Sequence, residues 1–395
     1  MPWRSVTVNE AREALMAAWL AAKVSVTELC RQAGVSRKTA YKWRRRYLAQ
    51  GAAGLVDQAR TPKHSPQLLT PALVALLRAA RLAHPTWGPR KLRAFLAARA
   101  PTQAWPAAST IGDCLKREGL VVPRQYRQRV PPYRAPFADC RAANGTWCTD
   151  FKGWVRTGDG QRCQPLTIID AYSRYLLCCQ HVDAADTEYV QALFTTCFRT
   201  HGMPWVIRSD NGPPFATCAP CGLSRLSVWW LKLGIQPERI APASPQENGR
   251  LERLHLTLLQ DRLSPPQATL AAQQRAFDHF RREYNEERPH EALDQRPPAQ
   301  FYQSSSRAFP SHLPPITYPP GSTVRQVQAH GQFSWRNQEV FVTEALAGEP
   351  IGLRPLDERH YAVYFSTLHL GQFDSQTAIF HRLPTDRLAK RQRKS

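Results

Sequence analysis

The sequence predicts a chain of several domains: all-α units in front, an α/β core with a mixed sheet, and a small β-barrel behind. Three observations predict it. Up to about residue 120, apolar residues recur at helical spacing between recognisable caps and turns. From Thr146 the period becomes that of strands, and helical stretches then alternate with strands. After a Ser- and Pro-rich stretch at 303–320, only short alternating strands with close turns remain. The 395 residues and 43% hydrophobic content suffice for two to four globular domains.

Charge narrows the classes of partner. Lys and Arg number 53 against 31 Asp and Glu, a net charge of +22. The excess is clustered, which favours a nucleic-acid partner over the general basicity of a protein from an Arg-rich proteome. No apolar run reaches about 18 residues, so no membrane span is expected. The N-terminus leads into a helix rather than a signal peptide, and a bacterial cytoplasm is the expected compartment. Ten Cys in a chain this long do not make a disulfide framework. Cys178-Cys179 lies in an apolar strand-like run, where thiols are buried and reduced.

Residues 1–68 read as a helix-turn-helix domain. Residues 10–22 are helical, and Ser25-Val26-Thr27-Glu28 has the pattern of a capping box opening a short helix to Gln32. Ala33-Gly34-Val35 is the turn, and Ser36 caps the next helix. That helix carries Arg37, Lys38, Lys42, Arg44, Arg45 and Arg46 with no acid among them, the signature of a helix entering a major groove. A second helical unit is expected over 69–122. Thr70 caps its first helix, His84-Pro85 breaks that helix, 90–98 follow, and Ser109 caps the last. Residues 123–143 are Pro-rich and basic, an extended linker whose Arg124 and Arg127 can follow phosphates.

The core is expected over 144–302. Strands at 146–155, 161–170 and 174–182 form an antiparallel meander, and helix 186–201 crosses over to a parallel strand at 205–208. A helix at 222–233, a fifth strand and a helix starting near 246–249 complete a mixed five-stranded sheet. Asp150 then sits within an apolar strand, where an unpaired charge is costly. Asp210 ends the fourth strand at a Gly/Pro turn. Glu252 lies in the first turns of the last helix. Three converging carboxylates call for a hard divalent cation, Mg2+ or Mn2+ rather than zinc. Two such ions about 3.5–4 Å apart suit in-line phosphoryl displacement. Asp159, Asp170 and Asp183 sit in turns, where Asp serves the backbone, and Glu238 in a loop. Cys218-Ala219-Pro220-Cys221 is a lone CxxC, short of the second pair a structural zinc needs. It falls in a stretch, 216–225, that reads as an insertion.

These motifs, in order, resemble a DDE transposase of the insertion-sequence 481 type, with a core similar to that of retroviral integrases. The resemblance rests on Trp147-Cys148-Thr149-Asp150-Phe151, Asp170-Ala171-Tyr172-Ser173-Arg174 and Ser209-Asp210-Asn211-Gly212-Pro213-Pro214-Phe215. It continues in Pro245-Gln246-Glu247-Asn248-Gly249-Arg250-Leu251-Glu252-Arg253-Leu254-His255 and in Arg288-Pro289-His290. It implies an RNase H-like core, with Asp150, Asp210 and Glu252 both catalytic and metal-binding, for two Mg2+ ions. It implies DNA cleavage at inverted repeats and strand transfer to a target duplex, by a homo-oligomer that is at least a dimer. Glu247 competes for the third position: 36 residues separate it from Asp210, against 41 for Glu252. In the family the Glu follows the Pro-Gln-x-x-Gly loop by three residues, which selects Glu252. Arg250 and Arg253 are expected at phosphates, and His255 at phosphate or orienting the Glu. Lys152 is expected to help position DNA. A DNA-binding regulator without catalysis is the alternative.

Behind the core, 303–320 is expected as a linker and 321–381 as a small SH3-like barrel. Residues 382–395 form a basic tail.

Overall fold

The computed structural model describes residues 7–58, 69–121, 137, 140–183, 186–217, 219–241 and 245–383. Arg124, Arg127, Cys218 and the basic tail from 384 lie outside these residues. Two compact units form, residues 1–70 and 71–395. Among the described residues no helix is long and apolar enough to cross a membrane.

The first unit has three helices, α1 (Val8–Leu20), α2 (Val26–Gln32) and α3 (Arg37–Gln50). Ser25 and Ser36 cap α2 and α3 through their hydroxyls. The reciprocal capping box, expected at Ser25, belongs instead to α1. There Thr7 and Glu10 bond each other's backbone N–H, while Glu28 accepts from Arg31 and Gln32. Leu15, Met16, Leu29, Cys30, Ala40, Trp43 and Leu55 form the core.

The second unit opens with α4 (Pro71–Ala83), α5 (Pro89–Arg99) and α6 (Ala108–Arg117). The last begins after Ala107 with no side-chain cap, not at Ser109. Its central sheet is built from β1 (Thr146–Phe151), β4 (Pro165–Asp170), β5 (Leu176–His181), β6 (Val206–Ser209) and β7 (Gln236–Arg239). A hairpin of β2 (Val155–Arg156) and β3 (Arg162–Cys163) stands between β1 and β4. The strand order is β5-β4-β1-β6-β7. β1, β4 and β5 pair antiparallel, while β6 and β7 run parallel to β1. This is the mixed five-stranded sheet of an RNase H-like core.

Helices cover both faces. α7 (Thr187–His201) and α8 (Arg225–Lys232) close one face, where Trp147, Ile168, Phe194, Phe198, Ile207 and Trp230 pack. α9 (Gly249–Leu258) and α10 (Leu270–Glu286) close the other, with Cys148, Ile169, Leu251, Leu254, Leu258, Phe277 and Phe280. Trp147 and Cys148 point to opposite sides, as successive strand residues must. Ion pairs His84–Glu283, Arg90–Glu291 and Arg99–Glu287 link α5 and the turn before it to α10 and the segment after it.

The stretch 303–320 is a strap bonded to the core rather than a passive linker. Ser305 N–H donates to His201 O (2.8 Å) and Met203 N–H to Arg307 O (2.7 Å). Phe309 packs against Phe198 and Trp229. Gly202 allows this approach, since a Cβ there would lie 2.4 Å from Ser305 O. Beyond the strap come β8 (Thr323–Gln326), β9 (Gln332–Trp335), β10 (Gln338–Phe341), β11 (Pro350–Pro355), β12 (His360–Phe365), β13 (Leu368–Asp374) and β14 (Ile379–Arg382). They form a five-stranded antiparallel sheet, β14-β13-β12-β11-β8, and a separate β9–β10 hairpin. The hairpin and the sheet enclose one apolar core, with Phe333, Trp335 and Val340 packed against Ile351, Leu353, Val363 and Phe373, in keeping with the small β-domain expected.

Candidate active site

β1 and β6 are parallel neighbours, so their carboxyl ends share one rim of the sheet. Asp150 stands next to last in β1, and Asp210 directly follows β6. By the alternation of strand residues, Asp150 lies on the same side as Cys148, the side covered by α9. Asp210 shares the side of Arg208, whose Nη1 donates to Glu247 O in the turn just before α9 (3.2 Å). Glu252 stands in the first turn of α9, exposed.

The charges interact. Burial first, then Asp210 and to a smaller degree Glu252, push the Asp150 carboxyl up to about 7. Burial also raises Asp210. Asp210 Oδ1 is buried with no hydrogen-bond partner among the described residues. Gly212 makes room for this carboxylate: a Cβ there would meet Asp210 Oδ2 at 3.0 Å. Asn211 ties the loop to β7 through Ile240 O (2.9 Å).

Glu247 has other work. It is buried, and its Oε2 accepts Ala241 N–H (2.8 Å), which joins the two ends of the loop leading into α9. Asp170 accepts Asn144 N–H (2.8 Å), Ser173 N–H (2.7 Å) and the Ser173 hydroxyl (2.6 Å). Asp159 accepts Gln161 N–H, Asp183 pairs with His181, and Glu238 holds Arg208 through both oxygens.

Two residues of α9 expected at DNA sit elsewhere. His255 is buried and shares a 2.7 Å hydrogen bond with Thr167, the residue opposite Asp150 in β4. Burial and the Lys152 charge drive its pKa down to about 3, so it is neutral at physiological pH. Arg250 turns inward, donating to Ala171 O and lying 4.0 Å from the Phe137 ring. Burial, then Arg174, lowers it to about 10. Arg253 is exposed beside Glu252. Asn248 was not singled out in the sequence. Both atoms of its amide are buried without a partner among the described residues, one residue before α9. Only its polarity in the loop motif could have signalled it.

In α3, Arg37, Lys38, Lys42, Arg44 and Arg45 are exposed. Arg46 is not part of that face: it donates to Val56 O (3.0 Å) and stacks over Trp43 (4.8 Å). Cys221 belongs to a packed core and donates to His369 O (3.4 Å). The nine described cysteines are all free, Cys178 and Cys179 among the buried ones.

Among the described residues no three His, Cys, Asp or Glu side chains converge closely enough to chelate one ion as they stand. The donor set nevertheless fits a hard cation: all oxygen, two raised carboxyls, and one buried oxygen lacking a donor.

Residues 141–245 and 233–298 match the integrase core domain, 12–63 a helix-turn-helix domain and 39–115 a homeodomain-like domain. Residues 322–379 match the C-terminal domain of the IS481 family transposases. Over these three kinds of domain the chain is similar to the IS481 family transposases. Among similar proteins is an uncharacterized 31.7 kDa protein of insertion element IS407 from Burkholderia multivorans. It is 28% identical over 283 residues, 71% of this chain and 91% of that one. The transposase InsD of element IS2 from Escherichia coli is 26% identical over 236 residues, 55% of this chain and 73% of that one. The catalytic core domain of BIV integrase is 20% identical over 40% of this chain and 93% of that one, with a TM-score of 0.31. Along the sequence, the integrase-core match therefore falls between the helix-turn-helix matches and the match to the IS481 C-terminal domain.

Proposed function

We propose that this transposase cuts phosphodiesters at the ends of its element and joins them to target DNA, using Asp150, Asp210 and Glu252. The observation that carries the reading is the raised Asp150 carboxyl, which feels both Asp210 and Glu252. Glu247, the competitor, is buried and bonded to backbone.

Asp150 and Asp210 hold their carboxylates at the rim from two parallel strands, and Glu252 approaches from α9. The three would hold Mg2+ or Mn2+, two ions in the full site. When bound, such ions activate an attacking oxygen and stabilise a leaving one during in-line displacement. His255, neutral and bonded to Thr167, fixes α9 against β4 and so fixes Glu252 relative to Asp150. In cleavage, water attacks the phosphorus and the bond to the 3′ oxygen breaks, leaving a free 3′-hydroxyl. In joining, that hydroxyl attacks a target phosphodiester, and the target's own P–O3′ bond breaks as the new one forms. No covalent enzyme intermediate is required. The exposed cations of α3 read the terminal inverted repeats, and Arg253 and Lys152 meet phosphate near the carboxylates. Pairing two ends requires a homo-oligomer, at least a dimer.

The test is strand transfer with a labelled terminal repeat and Mg2+. Asp210→Asn and Glu252→Gln each lower joining by more than about 100-fold, beyond the usual cost of losing an outer-shell group. Glu247→Gln keeps an acceptor for Ala241 N–H and stays within about 10-fold of wild type. An active Asp210→Asn variant overturns the site. Loss with Glu247→Gln alone transfers the third role to Glu247. Repeat binding without any cleavage by wild type leaves a regulator.

A further inference from the structure

The β2–β3 hairpin presents an aromatic–cation cluster that the carboxylate chemistry leaves unused. Trp154 stands four residues after Asp150 and is 52% exposed. Arg156 and Arg162 lie over its ring at 5.5 and 5.2 Å. The two arginines are directly opposite each other in the hairpin. Like charges facing across a strand pair are destabilising. Neither has a carboxylate partner among the described residues: Arg156 donates to Gly160 O (3.0 Å) and Arg162 to Gln164 Oε1 (3.4 Å).

The hairpin is nevertheless rigidly mounted. Isolated two-residue strands are marginal in water, but this pair buries Cys163 completely and packs Val155 on the core. At its tip, Gly158 N–H donates to Gln267 O and Asp159 N–H to Ala268 O, both at 2.9 Å. Gly153, at φ 87°, redirects the chain between the catalytic strand and Trp154. A braced element thus holds a half-exposed ring beside two cations that have no carboxylate partner among the described residues. Four residues of chain span at most about 14 Å, so the ring lies within roughly four base steps of a phosphate at Asp150.

We propose that Trp154 is a stacking platform for an unpaired base of the DNA end, with Arg156 and Arg162 on the adjoining phosphates. An aromatic face binds any base, and the paired cations supply the charge that a nucleic acid strand neutralises. This assignment rests on the reading of the chain as a DNA transposase, and it makes the hairpin a positioning element for the reacting end.

The test is a protein–base cycle on a precleaved repeat duplex, with binding measured without divalent metal and joining measured with Mg2+. An abasic site is introduced in turn at each of the last four nucleotides. Trp154→Ala weakens binding and slows joining by about 10-fold, while Trp154→Phe stays within about 3-fold of wild type. At one position the abasic site costs wild type about the same 10-fold and costs Trp154→Ala nothing further. Wild-type binding by Trp154→Ala, or equal abasic losses in both proteins, overturns the proposal. Because binding is read without metal, it decides the platform even if wild type joins nothing. Failure to join then counts against the carboxylate reading alone.

Discussion

At the scale of single residues, Asp150 carries a cost that only its site explains. Its carboxyl titrates near 3.9 in an unfolded chain and near 7 in the fold. Between about pH 4 and 7 the folded chain therefore holds more protons than the unfolded one, and stability falls as pH rises through that window. Above pH 7 the full cost persists. Asp150→Asn removes the charge but keeps an oxygen for Phe151 N–H, which donates to Oδ1 at 2.8 Å. At pH 8 without metal this variant melts higher than wild type, by roughly 2–4 °C for each kcal/mol relieved. Near pH 4 the two melt together, and Mg2+ at pH 8 stabilises wild type alone. Melting curves at the two pH values decide it. A variant that melts lower at pH 8 would show that burial is compensated some other way.

At the scale of elements, the difference between a charge run and a charge face matters most. The sequence shows six cations between Arg37 and Arg46, but α3 must bury Ala40 and Trp43, so they cannot share one surface. Arg46 falls beside Trp43 and Val56, while Arg37, Lys38, Lys42 and Arg45 stay in water. The paired variant Arg37→Ala with Lys42→Ala should weaken repeat binding and reduce the slope of log affinity against log salt by about 2. Joining of preformed ends should persist. Unchanged affinity across salt would remove α3 from the interface. The same one-dimensional blindness affected α9. Leu251, Leu254, His255 and Leu258 form an i, i+3, i+4, i+7 stripe, a legible sign that His255 faces inward. Most strands and helices were readable because their apolar periods are strong and Ser25, Ser36 and Asp186 cap helices. Less regular segments hid themselves. β7 is Gln-Pro-Glu-Arg, an edge strand whose polarity and Pro argue against a strand. The strand expected over 146–155 stops at Phe151, and β14 is too short and polar to announce itself. The rim position of Asp150 and Asp210 followed from strand ends, whereas the proposal of Glu252 rests on the family motif, because no apolar period marks an exposed acid in a first helical turn.

At the scale of the molecule, the stretch read as an insertion in the core does structural work. Cys221 and Leu223, with Val228 and Leu231 of α8, pack into the same apolar core as Phe333, Ile351, Leu353, Phe365 and Phe373 of the C-terminal domain. Other residues of α8, Leu226, Trp229 and Trp230, belong to the core against the central sheet. One helix of eight residues thus serves two cores, and Lys232 binds Glu349 across the same junction (2.6 Å). The strap at 303–320 adds backbone bonds along the path between them. A barrel on a free linker would unfold on its own, but a shared core makes unfolding of the two parts cooperative. Leu231→Ala, at a site 4% exposed, should cost roughly 2–5 kcal/mol. Calorimetry of the full chain should then find the transition of the catalytic sheet and that of the C-terminal sheet moving down together. The same variant should increase protease cleavage within 303–320, because undocking frees the strap. If the catalytic transition stays fixed while only a second, smaller one moves, the C-terminal domain is an independent folding unit and α8 does not couple it to the active site.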